Sequence, residues 1–222
     1  MFLSLCYRVL GWMLQLAAVR VRSNMSKDVE IVEHRVLHRS YFRIELFRLR
    51  HRRFAGGWTG EIVRELFERG HAAAVLLYDP ARDTVALVEQ FRVGALAAGR
   101  RPWVVEVVAG IIENGENAEE VVRREAVEEA GVTIGELLPI HVMLASPGGT
   151  SETCALFCGR ADLSKAGGIH GLAEEQEETR VLAMPASDAF KLMDDGKIEN
   201  ATCLVALQWL ALNRDKLRRR WR

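Results

Sequence analysis

Cysteine is scarce in this 222-residue chain, and the four present, Cys6, Cys154, Cys158 and Cys203, have neither C-x-x-C spacing nor the density of a disulfide-stapled scaffold. That speaks against structural zinc and a secreted cystine framework, and makes reduced thiols in the cytoplasm the expectation. Net charge is also missing, because 30 Lys and Arg balance 30 Asp and Glu. Without an overall basic field there is no counterion release to hold nucleic acid, so no such partner is expected. No apolar run reaches the about 20 residues that span a bilayer. There is no internal repeat or low-complexity linker. What remains is an ordinary folded composition, 49% hydrophobic and 27% charged, enough for one large domain or a domain with an appendage.

Residues 1–24 carry Arg8, Arg20 and Arg22 and no acid around an apolar stretch. A targeting or membrane-surface helix, a secretory signal, and an extension ahead of a start at Met25 are the competing readings. The polar Met25-Ser26-Lys27-Asp28, leading into strand-like sequence, favours the third, and no membrane partner is expected. Apolar and charged residues then alternate with period two, as in Tyr41-Phe42-Arg43-Ile44-Glu45-Leu46-Phe47, and 61–67 would supply a returning strand, though its spacing also allows a short helix. Residues 25–69 therefore read as a strand appendage ahead of a main domain at 70–222. In that domain the apolar runs 72–78 and 84–90 flank the turn Asp79-Pro80-Ala81-Arg82-Asp83. Further strands are expected at 104–108, 140–145, 154–158 and 179–184, with helices at 118–130, 186–195 and 203–212. The sum is an α/β fold with a mixed sheet. The basic run 216–222 reads as a solvated helix end.

The chemistry concentrates at 110–132. Asn117 with Glu120 forms a capping box and Gly131 suits a left-handed C-terminal residue, so 118–130 is a bounded helix. At 100° per residue, Glu125, Glu128 and Glu129 share an arc with Ala118, Val121 and Val122. Carboxylates crowded on an apolar face are costly unless a cation neutralises them. Hard oxygen ligands without cysteine or paired histidine select Mg²⁺, with Mn²⁺ as the alternative. Periodicity alone leaves open an ordinary Glu/Arg surface helix held by pairs such as Glu120 with Arg124.

The same residues resemble the Nudix box, G-x5-E-x7-R-E-U-x-E-E-x-G-U with U aliphatic. Gly110, Glu116, Arg124-Glu125, Glu128-Glu129 and Gly131-Val132 occupy its fixed positions, and Ala126 is a small residue at the first aliphatic one. Glu89-Gln90-Phe91-Arg92, Ser146-Pro147-Gly148-Gly149-Thr150-Ser151-Glu152 and His170-Gly171-Leu172-Ala173-Glu174-Glu175 extend the likeness toward bacterial ADP-ribose pyrophosphatases. The resemblance implies an α/β/α sandwich, a homodimer with exchanged N-terminal strands, and Mg²⁺-dependent cleavage of ADP-ribose to AMP and ribose 5-phosphate. GDP-mannose or ADP-glucose remains as an alternative substrate, and a non-catalytic ADP-ribose-binding module as a further one.

It also implies roles. Metal ligands would be the Ala109 carbonyl, Glu125, Glu129 and Glu175, with Glu128 close by, and Glu175 would be the general base, although Glu174, Glu177 and Glu178 compete for that part. Gly110 and Gly115 would let the loop bring the Ala109 carbonyl close, and Arg124 would hold Glu116. Arg92 is expected to clamp the diphosphate, because its planar fork matches phosphate oxygens. Tyr41 or Phe42 is the candidate stacking surface for adenine, with Trp103 lining the pocket. Arg64 and Glu65 would reach the site across the dimer or form a surface salt bridge. Ser146 and Glu152 would approach substrate unless their run is only a turn.

Overall fold

A computed structural model describes residues 27–172 and 176–221. The expectations for 1–24 and for Glu174 and Glu175 lie outside the described residues. The described chain divides into two units, one made of residues 27–35 with Leu46–Arg64, the other of Val36–Glu45 with the residues from Glu65 onward.

The N-terminal strands are β1 (Val29–Arg39), β2 (Arg43–His51) and β3 (Ile62–Glu68), ordered β1-β2-β3 in a three-stranded sheet. Strands form where expected, although burial does not alternate cleanly and the buried residue of β2 is Glu45; cross-strand charges join them, Arg50 pairing with Glu30 at 2.6 Å, and Arg48 with Glu33 at 3.3 Å and with Glu61 at 3.5 Å. Gly56 and Gly57, at φ 88° and 75°, make the turn that brings Trp58 back beneath Arg50 and Arg52.

The second unit is built on an eight-stranded mixed sheet. Its members are β4 (Ala72–Asp79), β5 (Thr84–Phe91), β6 (Trp103–Glu106), β7 (Val108–Ile111), β8 (Leu137–Leu144), β9 (Thr153–Arg160), β10 (Gly168–His170) and β11 (Thr179–Pro185). The main path runs β10-β11-β5-β4-β9-β8, with β4 and β9 parallel and its other described pairs antiparallel. β4 and β5 pair only at Leu77–Asp79 against Thr84–Ala86. Beyond that they part, and the gap is filled by β6 against Val88–Phe91 and β7 against Ala72–Val75. The single strand expected at 104–108 is therefore two, broken at Val107, because the chain must leave β5 to join β4.

Helices cover both faces. Alternate residues of β4 serve opposite cores: Val75 and Leu77 join Val121, Val122, Ala126 and Ala130 of α2 (Ala118–Ala130), whereas Leu76 and Tyr78 join the residues under α3 (Ala186–Asp194) and α4 (Ala201–Arg220). This is the expected α/β/α sandwich. Each fully buried leucine, such as Leu76, Leu87 or Leu207, contributes about 1.5–3 kcal/mol. A short α1 (Val93–Ala97) links β5 to β6.

The C-terminal reading needs correction. The helix expected to end at 212 continues to Arg220, and Trp221 beyond it is buried at 2% exposure beside Tyr78. Its basic residues hold the helix down: Arg214 Nε donates to Asp83 Oδ1 at 2.8 Å and Arg220 Nε to Glu136 Oε1 at 2.8 Å. The run that looked like a solvated end thus carries a core residue at its tip.

Candidate active site

Local sequence explains why the acids gather on α2. Asn117 Oδ1 accepts from the Glu120 N–H at 3.0 Å, and Glu120 Oε2 accepts from the Asn117 N–H at 3.1 Å, a reciprocal cap. Gly131, at φ 63°, ends the helix in the left-handed region, as expected. In between, Glu129 lies among the buried apolar residues at 2% exposure. Glu125 and Glu128 sit farther out, with side chains 13% and 28% exposed. The shared arc is real but graded in depth.

Glu129 is held from two sides. Its Oε2 accepts from the Ala109 N–H at 3.1 Å, and its Oε1 from Gln90 Nε2 at 3.0 Å. Burial outweighs both bonds and, with Glu125 and Glu177 nearby, pushes the carboxyl up to about 8. Burial also raises Glu125, against the pull of Arg124 and with a further push from Glu128 and Glu177. Arg124 Nη1 donates to Glu125 at 2.8 Å and Glu128 at 3.0 Å, while its Nε donates to Glu116 at 3.3 Å. Glu116 in turn accepts from the Glu113 N–H at 3.1 Å, so Arg124 staples the preceding loop to the helix. Gly110 matters for space rather than dihedral freedom: a Cβ there would stand 1.9 Å from Glu125 Oε1. Gly115, at φ 97°, is the position where the loop needs glycine's conformation.

These residues fit a divalent cation. Glu125, Glu129 and the Ala109 carbonyl are hard oxygen donors, and two desolvated carboxyls of raised proton affinity are groups that a cation would stabilise as anions. Among the described residues no group of three or more His, Cys, Asp or Glu converges in metal-holding geometry. Arg124 draws Glu125 and Glu128 to itself, and 173–175 are outside the description. Before that gap the chain is anchored at α2, where the Gly171 N–H donates to the Glu128 carbonyl at 3.2 Å, and after it the Glu177 N–H donates back to the Leu172 carbonyl at 3.2 Å.

Arg92 leaves β5 and pairs with Glu106 at 2.7 Å. Burial alone would lower its pKa, but Glu106, backed by Glu129 and Glu177, holds it above the ordinary value. Arg92 is therefore within electrostatic reach of Glu129 on α2.

The NUDIX domain family matches this sequence over residues 68–218. The chain belongs to the NUDIX family. An ADP-ribose pyrophosphatase of Escherichia coli (strain K12) is 47% identical over 194 residues, covering 87% of this chain and 93% of that protein. One of Haemophilus influenzae is 40% identical over 214 residues, covering 95% and 98%. A GDP-mannose pyrophosphatase of Salmonella typhimurium is 32% identical over 192 residues, covering 84% and 96%. The crystal structure of an ADP compounds hydrolase aligns with a TM-score of 0.65 over 89% of this chain and 98% of that one; at 20% identity it shows the shared fold.

Within this NUDIX chain the remaining expected site residues fall into separate groups. Phe42 meets Phe67 edge-on at 5.0 Å and lies under Arg69 at 5.7 Å, and Arg69 pairs with Glu152 at 3.6 Å. Tyr41 touches Phe42 but is 82% exposed. Ser146 heads a turn, its carbonyl accepting from the Gly149 and Thr150 N–H groups at 3.1 and 3.0 Å, and that run is tied to β3 where Ser151 Oγ donates to Glu68 at 2.6 Å. Arg64 and Glu65 are exposed, and Arg64 Nη1 donates to the Val63 carbonyl at 2.7 Å. Trp103 faces Phe91 at 6.0 Å on a recess of about 480 Å³ that Arg101, Arg180, Ile169 and Gln176 also line.

Sequence reasoning assigned no role to Gln90, Arg69, Glu106 or Asn200. Gln90 had a signal, being polar at the end of the run 84–90 at a position whose period-two alternation turns it toward α2. The other three acquire their partners only through the fold.

Proposed function

We propose that this chain hydrolyses the diphosphate of ADP-ribose to AMP and ribose 5-phosphate. The observation that carries the reading is a full set of NUDIX acids on a buried helix face in a chain 47% identical to an ADP-ribose pyrophosphatase. A divalent cation, Mg²⁺ first and Mn²⁺ second, when bound at Glu125, Glu129, Glu175 and the Ala109 carbonyl, would neutralise diphosphate oxygens and acidify a water. Arg124 and Glu116 keep the preceding loop on the helix, and Arg92 meets the phosphoryl oxygens. Glu175 accepts the proton of the attacking water as the bridging P–O bond breaks. Adenine stacks at Phe42 or Tyr41, with Glu152 and Ser146 close by and Trp103 at the rim.

In this reading 70–222 is catalytic and 25–69 pairs two copies, so that Arg64 and Glu65 serve the partner's site. Val32 on β1 and Val63 on β3, 40% and 53% exposed, are apolar positions that a second copy would cover. The reduced cysteines favour the cytoplasm. Among the described residues no helix is long and apolar enough to cross a membrane.

Relatives named GDP-mannose pyrophosphatases support a second reading, because a metal-bearing acid set reads the diphosphate and not the base or sugar. Turnover of ADP-ribose, ADP-glucose and GDP-mannose with Mg²⁺ separates the two. ADP-ribose should have the highest kcat/KM; a preference for GDP-mannose would install the second reading, and no turnover of any would remove both.

A further inference from the structure

Arg92 is braced by a chain of side chains that ends in a different element. Its Nε and Nη2 both donate to Glu106 Oε2, at 2.9 and 2.7 Å. The other oxygen of that carboxylate accepts from Asn200 Nδ2 at 2.9 Å. Asn200 is the N-cap of α4, and its Oδ1 accepts from the Cys203 N–H at 2.9 Å. The helix so capped is 20 residues long and buries Cys203, Ala206, Leu207 and Leu210 in the core. Its first turn is therefore a fixed point, 94 residues away in sequence from the glutamate it steadies.

Exposure is divided unequally along this chain. The Glu106 side chain is 9% exposed and that of Arg92 42%. A buried carboxylate with both oxygens engaged cannot swing, so it fixes the plane of the guanidinium. Arg92 spends two of its five N–H groups on Glu106, and among the described residues no acceptor takes the others, which are left for an oxyanion. The brace also settles a competition. Arginine near ionised glutamates collapses onto them, as Arg124 does onto Glu125 and Glu128. Glu129 and Glu177 lie close enough to act electrostatically on Arg92, yet Glu106 holds its fork.

We propose that Glu106 and Asn200 are positioning residues for diphosphate hydrolysis, fixing Arg92 so that it meets a phosphoryl oxygen ready-oriented and stays off the acids that a cation needs. This rests on the reading of Arg92 as the diphosphate clamp. Arginine is flexible in solution, and a fork ordered beforehand loses less freedom for each hydrogen bond it makes to substrate.

The test is a mutant cycle on the full-length protein with ADP-ribose and Mg²⁺, reading kcat and KM separately and thermal unfolding alongside. The variants are Arg92→Ala, Glu106→Gln, Asn200→Ser, and the pairs of Arg92→Ala with each of the other two. Serine keeps an oxygen for the Cys203 N–H and removes the donor to Glu106, so the helix cap survives while the brace does not. Arg92→Ala should lower kcat/KM by about 10²–10³, Glu106→Gln by about 10–10², and Asn200→Ser by about 3–10-fold. In the Arg92→Ala background neither brace mutation should lower it further, because residues acting through one group are not additive. Additive losses would overturn the proposal, since Glu106 and Asn200 would then act without Arg92. A near-normal Glu106→Gln beside a severe Arg92→Ala would also overturn it while leaving the clamp reading intact. A near-normal Arg92→Ala removes the clamp reading, and the brace with it, on that variant alone. If Glu106→Gln does not fold, the Asn200→Ser pair decides by the same rule.

Discussion

Replacing Glu129 by Gln should stabilise the metal-free protein in mildly alkaline solution while destroying its activity. Glu129 is buried at 2% exposure, and its carboxyl is pushed up to about 8. In the unfolded chain the same group ionises near about 4.3. Below that value both states hold the proton, and the group adds nothing to the pH dependence. As pH rises further, the unfolded chain releases its proton while the native state keeps it, so stability falls by up to about 1.4 kcal/mol per pH unit. Above the native value both states are ionised and the loss levels off, on the order of 5 kcal/mol. Glutamine preserves the shape: its carbonyl can accept from Ala109, and Gln90 can turn its amide over to accept the new NH₂. The assay is urea unfolding with a chelator at about pH 5 and about pH 8 for both proteins. Wild type should lose several kcal/mol more than Glu129→Gln between the two, and Mg²⁺ should restore wild type far more than the variant. Parallel pH profiles for the two proteins would refute the reasoning, because the buried carboxyl would then carry none of the dependence.

Gly110→Ala places a carbon 1.9 Å from Glu125 Oε1, so that carboxylate must move; we expect kcat to fall by about 10–10² in steady-state assays, with little change in unfolding temperature. Trp221→Ala should cost about 3–5 kcal/mol in urea unfolding. Trp221→Phe should cost less than about 1.5 kcal/mol, because the indole Nε1 has no hydrogen-bond partner among the described residues to lose. Glu175→Gln should lower kcat by about 10²–10⁴ in steady-state assays; if Glu174→Gln, Glu177→Gln or Glu178→Gln is the severe variant instead, the base sits there.

What the sequence made legible was local. The capping box, the closing Gly131 and the acid spacing of α2 are set by residues within a few positions of one another, and each stands as expected. The period-two strands and the turn between β4 and β5 were readable for the same reason. Partners distant in sequence were not: Glu106 finds Asn200, and Ser151 finds Glu68, only once the sheet has formed. A run such as Lys216–Arg220 looks solvated because its composition is polar, and nothing nearby announces that Asp83 and Glu136 wait to receive it. Gly110 was legible as a residue and misread as a reason, since what it supplies is room for a carboxylate one helix away.

The parting of β4 and β5 has a mechanical consequence. The filler between them carries Glu106 at the end of one strand and Ala109 and Gly110 in the next, with Val107, 1% exposed, as the crossing point. That short stretch is a ruler. Both the arginine brace and the loop packed against Glu125 are read off it, and side chains alternate faces along it, so removing or adding one residue would turn one of the two toward the wrong side of the sheet. Change here is confined to substitution at constant length. The exposed turn at Gly56-Gly57 carries no such measure and can take extra residues at little cost.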